Sequence, residues 1–234
     1  MKFNRLMLAA AIIFLLITLC ACAENSDPNT PSASSPQSKT PGASPDNSPA
    51  PSEQPDDSKT AASGEVVITF DYARQSGSAS NQFAVWIENM DGQLIKSLYA
   101  TQWTARGGYA GRPDSIALWV EKSGLASMPQ SEVDAVAGAT PRAGTLAYVW
   151  DLTDTNGNTV SPGKYKFIVE GTLRWRNHVI YSGMINVGGE SVTVSADVDF
   201  HFEASDRQAA LTENSPESSM IVSVTASYFS AEEN

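Results

Sequence analysis

Period-two alternation of apolar and polar residues constrains this chain more than any other feature of its sequence. Apolar residues occupy every second position at 66–72, 83–87, 165–169 and 192–202, although the residues between them at 83–87 are also apolar, and a further segment of strand length covers 94–99. Such alternation is typical of β-strands that bury one face, and Asp91-Gly92 between two of the segments is typical of a hairpin turn. A last strand is expected near 220–229. The sequence therefore predicts a mainly β fold, an antiparallel β-sandwich.

Residues 101–143 interrupt the alternation. Apolar residues at helical spacing occur there at Ile116, Trp119 and Val120. Asp114 precedes them as a candidate helix cap, and Gly124 follows as a candidate stop. We predict a short helical insertion at about 101–143 within a sandwich domain of residues 64–234. Long insertions in compact domains often carry function.

The N-terminal segment resembles a bacterial lipoprotein signal. Basic residues precede an apolar run that is shorter than the roughly 20 residues of a membrane-spanning helix. Residues 19–22 read LCAC, and a small residue precedes Cys22 whereas a bulky leucine precedes Cys20. We predict a signal peptide at 1–21 and lipidation of Cys22, with palmitate among its acyl chains; an uncleaved membrane anchor is the alternative. The lipid would hold the protein at a membrane outside the cytoplasm, in the periplasm or at the cell surface.

The segment after the signal has the composition of a linker. Residues 22–63 begin with the lipidated cysteine, are rich in Ser, Pro, Asp, Ala and Thr, and show no apolar period, which predicts a disordered tether. The chain carries a formal net charge of −11. This charge argues against nucleic acid as a partner. We expect a monomer that contacts the membrane through its lipid.

Residues 148–165 read YVWDLTDTNGNTVSPGKY, a pattern of strand, turn and strand. Asn156-Gly157 suits the turn, and Trp150 and Tyr165 are candidates for the core. The stretch is similar to the Ig-like domain of flagellar hook-cap proteins. It therefore indicates that the sandwich is Ig-like.

A longer series of segments resembles a known family. The segments FAVWIENMDGQLIKSL, DSIALWVEK, DAVAGATPRAG and the WD stretch occur in this order at 83–98, 114–122, 134–144 and 148–172. Over about residues 65–190 they are similar to the predicted periplasmic proteins grouped as domain-of-unknown-function family 2271. No activity is established for that family. The resemblance implies an extracytoplasmic location, a sandwich fold and frequent company with extracytoplasmic flavin and redox proteins.

The segment DAVAGATPRAG also resembles the sites at which an FMN transferase joins the FMN phosphate to a threonine or serine hydroxyl. The pattern at such sites is Asp-x-x-(Ser/Thr)-Gly-Ala-Thr, and it is matched by Asp134, Gly138, Ala139 and Thr140. Attachment needs an exposed hydroxyl on a loop with small neighbours. The resemblance implies covalent FMN on Thr140, the one cofactor that the sequence suggests, with an FMN transferase or a membrane redox protein as a partner.

A structural interpretation of the same segment stays open. Ala137 stands where Ser or Thr is usual, and proline follows the threonine. Asp134 would then act as a local cap and Gly138 as a turn residue, and Pro141 would restrict the threonine to an extended conformation.

Two further sets of polar residues favour structural roles. Half of a calcium loop is suggested by Asp151, Asp154, Asn156 and Asn158. No bidentate glutamate follows at the required distance, so we expect a hydrogen-bonded hairpin. The two histidines would need carboxylates beside them to hold a metal, and we expect surface or cross-strand positions for His178 and His201. We predict no metal site and no catalytic residue, since no G-x-S-x-G elbow occurs either.

Five tryptophans occur in the chain, at positions 86, 103, 119, 150 and 175. Trp86 and Trp175 have charged neighbours, so they are candidates to stack on a sugar, a quinone or an isoalloxazine ring. Burial under the insertion is the alternative for most of the five.

These patterns lead to two functional hypotheses, and neither describes an enzyme. The first is a lipid-anchored accessory or carrier protein of an extracytoplasmic flavin-linked redox system. The second is a non-catalytic Ig-like lipoprotein with a structural or ligand-binding role.

Overall fold

The computed structural model describes residues 61–231. The predicted signal peptide, Cys22 and nearly all of the predicted tether lie outside these residues. In the described part the strands are β1 (Glu65–Tyr72), β2 (Gln82–Glu88), β3 (Leu94–Thr101), β4 (Ala137–Gly138), β5 (Gly144–Trp150), β6 (Gly163–Arg174), β7 (Asn177–Val187), β8 (Val192–Ser195), β9 (Asp197–His201) and β10 (Ile221–Phe229).

Short helical segments accompany the strands. They are a π-helical turn (Thr104–Gly108), α1 (Tyr109–Gly111), α2 (Ala117–Lys122), a 3₁₀ turn (Leu125–Ser127), α3 (Gln130–Val136) and a second 3₁₀ turn (Pro216–Ser219). All but the last lie between β3 and β5, which confirms the helical insertion. Over residues 61–231, no helix is both long and apolar enough to cross a membrane.

The strands form two sheets. One has the order β5-β1-β10-β8, and the other has the order β4-β3-β2-β6-β7-β9. Neighbouring strands are antiparallel except for the short parallel pair β3–β4. The mainly β, sandwich-type prediction is confirmed.

The main core lies between the two sheets, where inward residues of one sheet meet those of the other. Val66, Ile68 and Phe70 of β1 alternate with partly exposed residues and are themselves at most 1% exposed. Phe83 and Phe167 supply rings from the facing sheet, and both are fully buried. The period-two pattern of the sequence is therefore the pattern of this interface.

The insertion covers the outer face of the six-stranded sheet and creates a second apolar cluster. All seven residues of β2 are buried, which alternation alone does not explain. Trp86 of β2 and Ile168 of β6 pack there with Ile116 and Trp119 of the insertion. A sheet covered on both faces buries both sets of alternating side chains.

The expected cap of α2 at Asp114 is wrong. Ile116, with φ of +42°, directly precedes the helix, and no side chain of the insertion caps it. Glu170 of β6 supplies the acceptors instead: its Oε1 and Oε2 lie 3.1 Å and 2.8 Å from the backbone nitrogens of Leu118 and Trp119. The left-handed residue turns the chain so that the helix begins against the sheet, where a strand residue reaches its free N–H groups.

The expected single strand at 192–202 is two strands in different sheets. β8 pairs with β10 in the four-stranded sheet, and β9 pairs with β7 in the six-stranded sheet. The chain changes sheet at Ala196, whose N–H donates to the carbonyl oxygen of Val224 at 2.9 Å. Alternation continues through the crossing, because inward residues on both sides face the same core.

Candidate functional site

The segment 134–144 joins the two sheets at one side of the sandwich. Asp134 lies in α3, residues 137–138 form β4, and β5 begins at Gly144. β4 is the edge strand of the six-stranded sheet, and β5 is the edge strand of the four-stranded sheet. Residues 139–142 between them adopt no helix or strand, so the candidate threonine lies on a connecting loop.

Tyr99 of β3 fixes the backbone just before the threonine. Its hydroxyl lies 2.8 Å from the carbonyl oxygen of Ala139 and 3.2 Å from that of Gly138. A Cβ atom at position 138 would lie 2.2 Å from Cε2 of the Tyr99 ring. Gly138 is therefore required by the close approach of the ring, and it lies in an extended strand rather than in the expected turn.

Asp134 has an ion-pair partner. Its Oδ1 lies 3.2 Å from a guanidinium nitrogen of Arg106, and both side chains are about half exposed. Gln130, one turn earlier in α3, donates its side-chain amide to the same oxygen at 3.1 Å. Asp134 thus lies inside a helix and links α3 to the π-helical turn, rather than acting as a local cap.

Thr140 is the member of the motif without such a structural contact. It is partly exposed, and within residues 61–231 its hydroxyl has no hydrogen-bond partner. The residue directly before it, Ala139, is exposed and has a small side chain, whereas the Tyr99 ring occupies the space beside Gly138. A free hydroxyl on a loop, next to a fixed backbone, is what transfer of a group by a second protein requires.

A cluster of aromatic rings lies behind this segment. Tyr99 lies 4.9 Å from Phe83 and 5.0 Å from Tyr148, measured between ring centroids. Burial raises the pKa of Tyr72 to about 12, and burial followed by the neighbouring tyrosines raises the pKa of Tyr99 and Tyr148 as well. The three phenols therefore stay protonated at neutral pH and form an uncharged, partly buried wall.

The acidic turn after β5 is closed by its own hydrogen bonds. Asp154 accepts the backbone N–H groups of Asn156 and Asn158 at 2.8 Å and 2.9 Å. The hydrogen bonds from Asn158 are the main cause that lowers the pKa of Asp154. Asp151 likewise accepts from the backbone and the hydroxyl of Thr153. The predicted hydrogen-bonded hairpin is confirmed, because both carboxylates accept hydrogen bonds from residues of the same turn.

His178 and His201 face each other across β7 and β9. Their rings stack at 4.6 Å with 17° between the planes, and His201 Nε2 lies 3.1 Å from an oxygen of Asp199. Burial, followed by the neighbouring imidazole, lowers the pKa of His178. The predicted cross-strand placement is confirmed. Among residues 61–231, no three His, Cys, Asp or Glu side chains come together to hold a metal ion.

The tryptophans divide into a buried and an exposed group. Trp86, Trp119 and Trp150 are fully buried, and their indole N–H groups donate to Glu88, Ser97 and the carbonyl of Thr153. The interpretation of Trp86 as a ligand surface is therefore wrong, because the insertion covers its strand. Trp103 is 48% exposed, and Trp175 is partly exposed.

Sequence reasoning missed Tyr99 and Arg106, the two residues that hold the motif in place. Tyr99 lies 40 residues before the carbonyl that its hydroxyl contacts. Its position in an alternating strand predicts an inward ring, but no spacing in the sequence connects that ring to Gly138.

Fold and segment together define a class: a β-sandwich protein with a helical insertion and a candidate attachment residue on the loop between its sheets. The chain belongs to the family of predicted periplasmic proteins of unknown function known as DUF2271, whose family model matches residues 63–200. This confirms the family resemblance and agrees with an extracytoplasmic location. No curated protein and no solved structure matches the chain. The lipid anchor and the Ig-like similarity stay predictions.

Proposed function

We propose that this protein is a lipid-anchored extracytoplasmic carrier or accessory protein of a flavin-linked redox system, and that Thr140 is the residue to which FMN is attached. The observation that carries the proposal is that the Thr140 hydroxyl is not used in a hydrogen bond within the described residues. Thr140 is partly exposed on a loop, and its oxygen has no hydrogen-bond partner within the described chain. The neighbouring residues of the motif, by contrast, are all held by identified contacts.

The chemistry asks little of the carrier beyond a reachable oxygen. Thr140 Oγ1 forms a bond to the FMN-side phosphorus of a flavin dinucleotide, the pyrophosphate P–O bond breaks, and AMP leaves. The hydroxyl proton goes to a base of the transferase, so the chain itself needs no catalytic group. When bound, the flavin supplies one- and two-electron transfer to the protein that carries it.

The surrounding residues fit such an attachment. Ala139, directly before the threonine, is exposed and offers only a small side chain to an approaching transferase. Tyr99 holds the carbonyls of both residues, so the loop begins at a fixed point and does not have to be ordered when the transferase binds. Pro141 disfavours a helical conformation at Thr140, which lies outside any helix or strand.

Intact mass tests the proposal. The full chain is co-expressed with a periplasmic FMN transferase, and we expect a mass gain equal to one FMN less one water. The gain should disappear in Thr140→Ala and persist in Thr140→Ser, which keeps a hydroxyl at the same place.

Thr145→Ala is the matched control. Thr145 lies near the start of β5, is also exposed, and donates its hydroxyl to Asp71 at 2.7 Å. Its replacement should leave the mass gain unchanged. An unmodified wild-type chain, or a gain that survives Thr140→Ala, would overturn the attachment.

The alternative is a non-catalytic structural or ligand-binding lipoprotein, and one observation favours it. Gly138 is required by the Tyr99 ring, and Asp134 pairs with Arg106, so both residues have structural reasons to be present. In that case the motif closes the side of the sandwich and the mass of the chain does not change. A role that only docks a flavoprotein or a membrane reductase would give the same unchanged mass.

A further inference from the structure

A cationic groove lies at one end of the six-stranded sheet, separate from the Thr140 loop. It is a cavity of about 360 Å³ lined by Trp103, Arg112, Trp175, Ser80, Gln82, Ala79 and Gly111, and we call it the Trp175 groove. Three chain segments and a hairpin turn form it: the start of β2, the residues after β3, α1 with its following residue, and the turn between β6 and β7. Its volume falls in the range of small-molecule sites.

Arg112 is the one charged residue in the lining of this groove. Its guanidinium carbon lies 5.7 Å from the centroid of the Trp175 ring, and it donates to the carbonyl oxygen of Ala79. Within residues 61–231 it forms no ion pair, whereas Arg174 and Arg176 nearby pair with Glu217 and Glu203. An unpaired arginine in a groove of a chain with net charge −11 points to an anion from outside.

Unsatisfied polar atoms gather at the same end of the domain. In the described residues, the buried side-chain nitrogen and oxygen atoms without a hydrogen-bond partner are those of Arg112, Arg174 and Gln208. Arg112 lines the groove, and the other two are chain neighbours of Trp175 and of Arg207, whose guanidinium lies 4.8 Å from the Trp175 ring. Burial also lowers the pKa of Arg112 to about 10, so its charge has lost solvation that an anion would replace. Native proteins leave few buried polar atoms unpaired.

Trp175 occupies a position that local backbone preference gives to glycine. It is the first residue of the two-residue turn between β6 and β7, and its φ is +50°. Hairpin turns with positive φ at this place ordinarily have glycine, because other residues are strained in this conformation. The indole is thus held at the groove against a local cost. Strain of this kind concentrates at functional sites.

Hydrogen bonding in the groove also leaves a donor available. Gln82 Oε1 accepts from the hydroxyls of Thr101 and Thr104 at 2.7 Å and 3.0 Å. Its amide nitrogen makes no hydrogen bond in the part of the chain that the structure describes, and Gln82 lines the groove. Arg112 and Gln82 therefore offer N–H groups beside two indole rings.

We propose that the Trp175 groove binds a small molecule that combines a flat aromatic ring with a carboxylate or phosphate group. Arg112 pairs with the anionic group in a planar, two-point contact, and Trp103 and Trp175 contact the ring. Asp114 and Asp206 line an adjoining smaller cavity that Arg112 and Trp175 also line, so the anionic group is expected on the Trp103 side of Arg112, away from these acids. This site does not depend on FMN attachment at Thr140.

Indole N–H signals in a ¹H–¹⁵N spectrum of the uniformly labelled protein give a residue-specific test. Naphthalene-2-carboxylate is the probe, with naphthalene-2-methanol as its neutral counterpart and acetate as the anion without a ring. We expect the carboxylate to shift the signals of Trp103 and Trp175 and to leave those of Trp86, Trp119 and Trp150 in place. Affinity for naphthalene-2-methanol should be lower by about tenfold or more, because it lacks the charged hydrogen-bonded contact. Affinity for acetate should also be lower by about tenfold or more, because it lacks the ring contact.

Four variants complete the test. Arg112→Gln should weaken binding of the carboxylate by about tenfold or more, whereas Lys164→Gln, which removes the same charge at the opposite end of β6, should not change it. Trp103→Ala removes a ring that is already 48% exposed, so the fold should persist while binding weakens, as read on the Trp175 signal. Equal affinity for the charged and neutral probes, or shifts that spare Trp103 and Trp175, would overturn the proposal. Thr140→Ala should bind the probe like wild type, which separates this result from that of the attachment test.

Discussion

Gly138 and Thr140 lie two residues apart, but their surroundings give them different roles. The ring of Tyr99 occupies the space that a side chain at position 138 would need, so this glycine serves packing. The hydroxyl of Thr140 forms no hydrogen bond inside residues 61–231, so it contributes no polar contact to the fold of these residues. A motif that resembles an attachment site therefore contains both structural residues and one residue available for chemistry.

Gly138→Ala tests the packing role. The added methyl group would meet the Tyr99 ring at 2.2 Å, so the ring must move and its hydroxyl must leave the carbonyls of Gly138 and Ala139. We expect a loss of about 1–3 kcal/mol in the free energy of unfolding, measured with urea. Gly111→Ala is the control, because no atom lies within 4 Å of a Cβ there, and it should cost little. Equal stability of the two variants would contradict the assigned contact.

At the level of elements, the insertion is attached to the sheet through a few buried polar contacts. Glu170 of β6 is 1% exposed and accepts two backbone N–H groups at the start of α2. Trp119 of the same helix donates its indole N–H to Ser97 of β3 at 2.9 Å. Gln82, Thr104 and Ser115 continue the contacts between sheet and insertion. A buried carboxylate without an ion pair in the described chain makes this attachment sensitive to pH.

Stability should fall as pH rises through the titration of Glu170. Burial raises the pKa of this carboxyl from 4.5 to about 7, despite the two N–H groups that lower it. The folded state thus holds the proton more tightly than the unfolded state, and this contribution is complete below pH 4.5 and lost as pH passes 7. The linked change is about 3 kcal/mol.

Urea unfolding at pH 5 and pH 8 measures this contribution. Glu170→Gln removes the titrating group, so the difference between the two pH values should shrink relative to wild type. Glu132→Gln, at an exposed position in the first turn of α3, is the control and should keep the wild-type difference. A wild-type difference that persists in Glu170→Gln would show that another group is responsible.

For the molecule as a whole, local patterns predicted the sandwich, whereas contacts between distant segments did not follow from the sequence. Strands β1, β2, β3 and β6 could be predicted from the sequence, because the spacing of apolar residues along a strand is a local property. The cap of α2 could not be predicted, because Glu170 lies 52 residues along the chain from Leu118, whose backbone N–H it accepts. The switch of the chain from one sheet to the other at Ala196 was not predicted either, because the alternation of side chains is the same on both sides of Ala196.

The candidate sites show the same division. The loop position of Thr140, which is partly exposed, follows from the small residues and the proline in its neighbourhood. The Trp175 groove was only partly foreseeable: Trp175 has arginines beside it in sequence, but Arg112 and Gln82 come from other segments. Folding brings these residues together, so sequence spacing alone carries no signal of the groove.

Attachment of FMN to Thr140 is the central claim, and peptide-level mass measurement of the chain co-expressed with an FMN transferase tests it most directly. Trypsin cleaves after Lys122 and Arg142, so Thr140 lies in the peptide 123–142 as its single threonine, with serines at positions 123, 127 and 131. The account predicts that this peptide gains one FMN less one water, with fragment ions that place the gain on Thr140. A peptide 123–142 of unmodified mass, or a gain located on one of the serines, would contradict it.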